Sequence, residues 1–160
     1  MGTFVRIALS GGRLFTLVDS EDADKVNGYS WCADRMRGGF YATTTVGGRK
    51  NRKRIAMARL LMSVTDRRMR VDHKNHDTLD NRKENLRVCT HAENLRNMKK
   101  STLKGVTRKR KKWAAQITVN YRHINLGSFA TAKEAAAAYD SAATKHFGDF
   151  ACTNNEAGLL

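Results

Sequence analysis

The chain has 160 residues, and its 30 Lys and Arg against 15 Asp and Glu give a formal net charge of +15 at pH 7. This length suits one ordinary domain or two or three small ones. The charge predicts a polyanionic partner, and no uninterrupted apolar run could span a bilayer, so nucleic acid is favoured over a membrane. MGTFVRIALSGG does not have the pattern of a signal peptide, and the three scattered cysteines form no CxxC pair. We therefore expect a cytoplasmic protein without a disulfide framework or structural zinc.

Residues 1–65 show the pattern of short strands separated by glycines. FVRIAL and RLFTLV flank SGG, which predicts a hairpin, and GGFYATTTVGG predicts a third strand. SEDADKVNG predicts a short helix beginning at Ser20 or Asp22, and IAMARLLM has the apolar spacing of another. We expect a small β-rich α+β scaffold that presents the next region and is a candidate for additional DNA contacts.

Residues 66–100 combine two short strands and a helix. RVDH and LRVC read as strands separated by a polar loop. Thr90 followed by Glu93 is a capping box, so the helix is predicted to begin at HAENLRNMKK.

Residues 101–154 predict a third unit, followed by a tail at 155–160. The basic stretch KKSTLKGVTRKRKK could be a solvated charge run or a localisation signal, but strands follow it at once in KWAAQITVN and RHINLGSF. TAKEAAAAYDSAATKHFG predicts a helix with a Thr131/Glu134 capping box and an alanine face that can lie close to a sheet. The whole chain is therefore predicted to be α+β, ending in a three-stranded antiparallel sheet packed on one helix.

The stretch VDHKNH places an acid and an imidazole side by side in a basic chain. Phosphodiester cleavage needs a base to deprotonate water and a divalent ion to neutralise charge on the leaving oxygen. Asp72 offers a carboxylate, His73 a base, and Asn94 in the following helix an amide oxygen. Neighbouring side chains on a strand point to opposite sides, so a shared site requires the strand to end at His73.

VDHKNHDTLDNRKENLRVCTHAENLRN resembles the HNH motif of phage and intron homing endonucleases. The resemblance implies two strands and a helix around one metal ion. It further implies His73 as general base, Asp72 and Asn94 as metal ligands, and Asn85 as the residue that braces the loop and orients the histidine. It implies Mg²⁺, with Mn²⁺ as an alternative. The N-terminal third resembles the phage HNH group more loosely. It differs from that group at Ala58, a position where those proteins often have a histidine.

Other histidines and arginines near this motif have simpler interpretations. His76 and His91 fit solvated side chains, although His76 is also a candidate for phosphate contact. A guanidinium matches phosphate and cannot act as a base, which predicts DNA contacts for Arg82, Arg87 and Arg96.

Residues 104–154 resemble the plant ethylene-response-factor (APETALA-type) DNA-binding domain, in which a three-stranded sheet enters the major groove. The resemblance is carried by glycine, aromatic and alanine positions that include Gly105, Trp113, Gly127 and Tyr139. Several sheet positions differ from the plant proteins, so the GC-rich specificity is not transferred; they are Thr107, Lys109, Thr118, His123 and Asn125. Trp113 fits either the core or the DNA interface. The predicted DNA contacts are Arg108, Arg110, Lys112, Gln116, Thr118, Arg122 and His123.

These patterns favour a metal-dependent, site-preferring DNA endonuclease of the homing type, acting on double-stranded DNA in a phage-infected bacterial cell. One site per chain favours nicking by a monomer or weak dimer. Two alternatives stay open. A DNA-binding regulator with a decayed nuclease segment would bind without cutting, and a basic RNA-binding or ribosomal protein would prefer RNA to duplex DNA.

Overall fold

A computed structural model describes residues 2–36 and 38–160. The chain divides into two compact units, Met1–His91 and Ala92–Leu160. Within the described residues there are four α-helices and several small sheets, which confirms the predicted α+β class. None of those helices is long and apolar enough to cross a membrane.

The first unit contains three small sheets and two short helices. Its strands are β1 (Phe4–Ala8), β2 (Phe15–Asp19), β3 (Cys32–Met36), β4 (Gly39–Val46), β5 (Lys53–Ala56), β6 (Arg70–His73) and β7 (Leu86–Cys89), and its helices are α1 (Ala23–Asn27) and α2 (Met57–Leu61). The sheets are β1-β2, β3-β4-β5 and β6-β7, each antiparallel. The predicted hairpin, third strand, two short helices and RVDH and LRVC strands are confirmed. The sequence did not predict β3 or β5.

One apolar core holds the first unit together. Val18 of β2, Val26 of α1 and Met57 of α2 are fully buried, and Leu86 of β7 belongs to the same cluster. Fully burying such a side chain contributes about 1.5–3 kcal/mol. Because Leu86 is part of this core, the β6-β7 hairpin is packed on the N-terminal scaffold rather than standing apart from it.

The second unit is built on one antiparallel sheet and one long helix. After α3 (His91–Asn97), which starts at the last residue of the first unit, come β8 (Val106–Lys109), β9 (Lys112–Val119), β10 (Arg122–Phe129) and α4 (Ala132–Phe147). The sheet order is β10-β9-β8, and α4 packs on it. Ala135 and Ala136 are fully buried, so small side chains let the helix lie close to the strands. The Thr131/Glu134 capping box is present as predicted.

A buried polar cluster fastens the start of β8 to the C-terminal segment. The Asn154 side chain is fully buried; its Oδ1 accepts from the Lys104 backbone N–H at 2.6 Å, and its Nδ2 donates to Asp140 Oδ1 at 2.9 Å. Lys104 Nζ donates to the Cys152 carbonyl at 3.0 Å, and burial lowers the pKa of this lysine. The next residue, Gly105, has φ +67°, a conformation that favours glycine.

Candidate functional site

Asp72 and His73 lie together at the end of β6, and both are buried, with 7% and 6% of their surface exposed. Asp72 pairs with Arg87 across the hairpin and His73 pairs with Leu86. The chain turns directly after the strand, since the His76 N–H donates to the His73 carbonyl at 3.1 Å. The bend that a shared site requires is therefore present.

Arg87 holds the Asp72 carboxylate. Its Nε donates to Asp72 Oδ2 at 2.8 Å, and Nη2 lies 2.7 Å from the same oxygen. The two side chains are only 12% and 8% exposed, so this is a buried, charge-assisted pair. The pair fixes the Asp72 carboxylate at the end of β6. The role of Arg87 in phosphate contact stays a prediction.

Asn85 closes the loop between β6 and β7. Its side-chain oxygen accepts from the Asn75 N–H at 2.9 Å, and its Nδ2 donates to the Asp80 carbonyl at 2.8 Å. Its own carbonyl accepts from the Lys74 N–H at 2.9 Å. Asn85 is thus bonded to both sides of the loop that follows His73, which is what a bracing residue would do. A contribution of Asn85 to catalysis stays a prediction.

A hydrogen-bonded path joins His73 to the N-terminal hairpin. His73 Nε2 lies 3.2 Å from Asn81 Oδ1, and Asn81 Nδ2 donates to Thr16 Oγ1 at 2.7 Å. Neither Asn81 nor Thr16 was among the predicted site residues. The available signal was strand alternation, which puts Thr16 on the same inward face of β2 as Val18.

The surroundings of His73 favour its neutral form. Burial is the largest influence and lowers the pKa of His73, although the hydrogen bond to the Asn81 side-chain oxygen and the charges of Asp72, Asp77 and Asp80 act in the opposite direction. A neutral imidazole at neutral pH can accept a proton, as a general base must. Burial also raises the pKa of the Tyr41 phenol, whose ring meets the His73 ring edge-on at 6.1 Å.

The donor chemistry fits a hard divalent cation. Asp72 provides a carboxylate, the oxygen ligand that Mg²⁺ prefers. Within the described residues no group of three or more His, Cys, Asp and Glu side chains could hold a metal. Mg²⁺ commonly keeps several waters and uses one or two protein groups, so a single carboxylate with few further protein ligands suits it.

The remaining predicted residues near the motif lie in different surroundings. Asn94 lies on α3 in the second unit, and its role as metal ligand stays a prediction. On the same helix, the Arg96 guanidinium lies 4.6 Å from the centre of the Phe147 ring. Arg82 binds Asp80 at 2.8 Å and Glu84 at 2.7 Å. The predicted phosphate contacts of Arg82 and Arg96 likewise stay predictions.

Strand register divides the predicted DNA contacts of the sheet between its two faces. Lys112, Gln116 and Thr118 alternate with Ala115 and Ile117, which are buried. The first three therefore share the face turned away from α4, here called the open face. Pairing across the strands adds to the open face Thr107 and Lys109 of β8 and His123 and Asn125 of β10.

Two of the predicted contacts fall on the other face. Arg108 pairs with Trp113, and its guanidinium lies 5.8 Å from the centre of the indole. Arg122 pairs with Val119, on the same side as the buried residues of β9. Arg110 lies in the β8-β9 turn with φ 53°. Lys109 and Asn125 lie on the open face but were not among the predicted contacts, because the prediction did not use strand alternation to assign residues to faces.

A basic cavity of about 540 Å³ lies in the first unit. It is lined by both cationic and apolar residues, and no acid contributes to it. Arg59 has a structural role there, because its guanidinium donates to the carbonyls of Met69, Val64 and Asp66. The exposed cations along the cavity are Lys25, Lys53, Arg54, Arg67 and Arg70.

Comparison with known families identifies the β6–α3 segment. Residues 66–96 match the HNH endonuclease family, and this segment contains Asp72, His73, Asn85 and Asn94. The match supports nuclease activity in general, with a divalent metal ion and DNA as substrate. A search of curated proteins found no match to the chain.

Proposed function

We propose that the chain is a metal-dependent, site-preferring DNA endonuclease of the homing type that nicks one strand per active site. The observation that carries the proposal is the buried Asp72–His73 pair at the end of β6, inside the segment matched to HNH endonucleases. DNA binding alone requires neither a general base nor a metal-binding carboxylate, so a regulator would not need the Asp72–His73 pair.

Each residue of the site then has a separate role in hydrolysis. His73 removes a proton from water, the resulting hydroxide attacks phosphorus, and the P–O bond to the leaving oxygen breaks. Asp72 would hold a divalent cation, which would supply the positive charge that neutralises the phosphate and the leaving oxygen. Arg87 keeps the Asp72 carboxylate in place through its bonds to Oδ2, and Asn85 holds the loop after His73. We assign Asn94 to the metal from the family resemblance.

Cleavage of supercoiled plasmid tests this proposal. Wild type is expected to yield open circles with Mg²⁺ and none with EDTA, and His73→Ala should abolish cutting. His146→Ala is the matched control, since this histidine is exposed in the last turn of α4 and should leave cleavage intact. Linear product would indicate paired sites on a dimer. Binding without any cut, in Mg²⁺ or Mn²⁺, would refute the nuclease and favour the regulator.

We further propose that the open face of the β8–β10 sheet binds duplex DNA, as in the ethylene-response-factor domain that residues 104–154 resemble. The support is an exposed surface of basic and amide side chains, including Lys109, Lys112 and Gln116. The cavity cations of the first unit would add phosphate contacts. The resemblance to homing endonucleases also implies a phage-infected host cytoplasm and a monomer or weak dimer on DNA.

Neighbouring residues of β8 offer a matched test of this interface. Lys109→Ala and Arg108→Ala each remove one exposed positive charge, but only Lys109 lies on the open face. Each lost phosphate contact lowers the slope of log K against log salt by about 0.9. We expect that reduction for Lys109→Ala and a smaller one for Arg108→Ala. Equal slopes for the two variants would show that charge alone, and not the open face, determines binding.

A further inference from the structure

The basic cavity of the first unit carries positive charge that its own lining does not neutralise. Its volume is about 540 Å³, and six Lys and Arg residues but no Asp or Glu line it. Three of the six have protein partners. Lys25 Nζ donates to the Leu61 carbonyl at 3.1 Å, and the Arg59 guanidinium donates to three backbone carbonyls. Arg54 lies 3.0 Å from the Asp34 carboxylate.

The other three cations of the cavity are available to a ligand. They are Lys53, Arg67 and Arg70, here called the unpaired cations, and all three are exposed. Within residues 2–36 and 38–160, no group forms a hydrogen bond or ion pair with their side chains. Asp66, next to Arg67 in the sequence, binds Arg68 at 3.1 Å. A concave surface with charges of one sign concentrates the opposite charge, and guanidinium groups match phosphate, so the unpaired cations favour a phosphate.

The cavity also has an apolar lining that a phosphate alone would not cover. Ile55, Leu60 and Val64, here called the apolar wall, line it and are half-buried. The cavity volume falls within the range of about 300–1,000 Å³ that is typical of sites for small organic ligands, and a phosphate group has only a few atoms. A nucleotide joins a phosphate to a large, largely apolar base. In duplex DNA that base is stacked inside the helix, so it can enter a cavity only when it is unpaired.

Arg70 connects the cavity to the candidate active site. Arg70 and Asp72 are two positions apart on β6, so their side chains lie on the same face of the strand. Their Cα atoms are therefore about 7 Å apart. A DNA strand with one phosphate at Asp72 would bring a neighbouring nucleotide within reach of Arg70.

We propose that this cavity binds one unpaired nucleotide of the DNA strand that is cut. The unpaired cations bind the phosphate of that nucleotide, and the apolar wall contacts its base. The position of the nucleotide beside the cut rests on the proposed nuclease function. Because unpairing a base costs free energy, the cavity favours DNA in which bases are unpaired or in which negative supercoiling assists their unpairing.

Binding of short single strands tests the cavity without any cleavage. The full-length chain is titrated in EDTA into fluorescently labelled oligothymidylate and into an abasic strand of the same length, and anisotropy is measured. Oligothymidylate should bind more tightly, because only this strand offers bases to the apolar wall. Equal affinities would overturn the proposal, since phosphate alone would then account for binding. Tighter binding of oligouridylate than of oligothymidylate would also overturn it, because the preferred occupant would be RNA.

Two neighbouring arginines provide matched variants. Arg67 lines the cavity, whereas Arg68 does not line it and binds Asp66. Arg67→Ala should weaken the binding of oligothymidylate about tenfold through loss of charge-assisted hydrogen bonds, and Arg68→Ala should change it little. Equal effects of the two substitutions would contradict a role for the cavity.

Val64→Thr tests the apolar wall separately, because it keeps the shape of the side chain and replaces a methyl group with a hydroxyl. We expect the affinity for oligothymidylate to fall about threefold and the affinity for the abasic strand to stay unchanged. An equal loss for both strands would show that Val64 does not contact a base.

The nicking rates of negatively supercoiled and relaxed closed plasmid test the link to cleavage. Wild type should nick the supercoiled form faster, Arg67→Ala should lose this preference, and Arg68→Ala should keep it. Equal rates for wild type on the two forms would overturn the proposed position of the nucleotide beside the cut. If wild type cuts neither form, the nuclease proposal fails, while the binding experiments in EDTA still decide whether the cavity takes an unpaired nucleotide.

Discussion

Removing the guanidinium that neutralises Asp72 should strongly destabilise the first unit. In Arg87→Met the new side chain keeps most of the apolar length of arginine. The Asp72 carboxylate, which is 8% exposed, loses the 2.8 Å hydrogen bond from Arg87 Nε and the 2.7 Å ion-pair contact with Arg87 Nη2. Breaking a buried ion pair by removing one partner costs about 3–5 kcal/mol, because the other charge stays desolvated. We expect a loss of this size in the free energy of unfolding, measured in EDTA.

Urea denaturation followed by tryptophan fluorescence measures this loss in the first unit alone. Trp31 is 3% exposed in the core of that unit, and a Trp113→Phe background leaves it as the single remaining tryptophan of the two in the chain. Adding Asp72→Asn to Arg87→Met should recover much of the lost free energy of unfolding, since the buried carboxylate without a partner is then removed.

An exposed ion pair supplies the matched control. Arg68 and Asp66 are joined at 3.1 Å, but their side chains are 90% and 43% exposed, so Arg68→Met should change the stability little. If Arg87→Met lowers the free energy of unfolding no more than Arg68→Met does, the argument from burial is wrong.

Three further changes test the fold. Gly105→Ala should destabilise the second unit by about 2–5 kcal/mol, because φ is +67° and the added methyl group would meet the Tyr139 ring; thermal unfolding measures this. Thr131→Ala should remove about 1 kcal/mol by loss of the α4 cap, and recovery in Thr131→Ser would identify the hydroxyl as the cause. Arg82 lowers the pKa of Asp80 below its ordinary 3.8, so its stabilising contribution is present above that pH and is lost as the pH falls through the folded-state pKa. The stability difference between wild type and Asp80→Asn should therefore shrink on acidification, and a constant difference would contradict the assignment.

Local sequence signals predicted the parts of the fold that depend on neighbouring residues. The β1-β2 hairpin and the α4 capping box are each encoded within a few positions, so they could be identified from the sequence. Strands β3 and β5 could not. Both are short and carry several polar residues. They form strands by pairing with β4, one on each side, and this pairing is not encoded in the local sequence of either strand.

The candidate site was predictable to the extent that its chemistry lies within one continuous motif. Asp72, His73 and Asn85 could be named as candidates because they fall in the segment that resembles the HNH endonucleases. Thr16 could not be identified, because it lies in a strand where threonine is an ordinary residue and its partner Asn81 is 65 positions away. Only the folded structure shows that this inward-facing hydroxyl contacts Asn81, whose side chain in turn contacts the His73 imidazole.

The hydrogen bonds between β2 and the loop after β6 limit how the proposed nuclease segment could be recombined with other domains. A graft of residues 66–96 onto a different DNA-binding protein would transfer Asp72 and His73 but leave behind Leu17, whose backbone holds Leu79 and Asn81. A portable cleavage cassette would therefore have to include the N-terminal hairpin. Such a segment would also have to extend through α3 to keep Asn94, the proposed metal ligand, although the two compact units divide at His91 and Ala92.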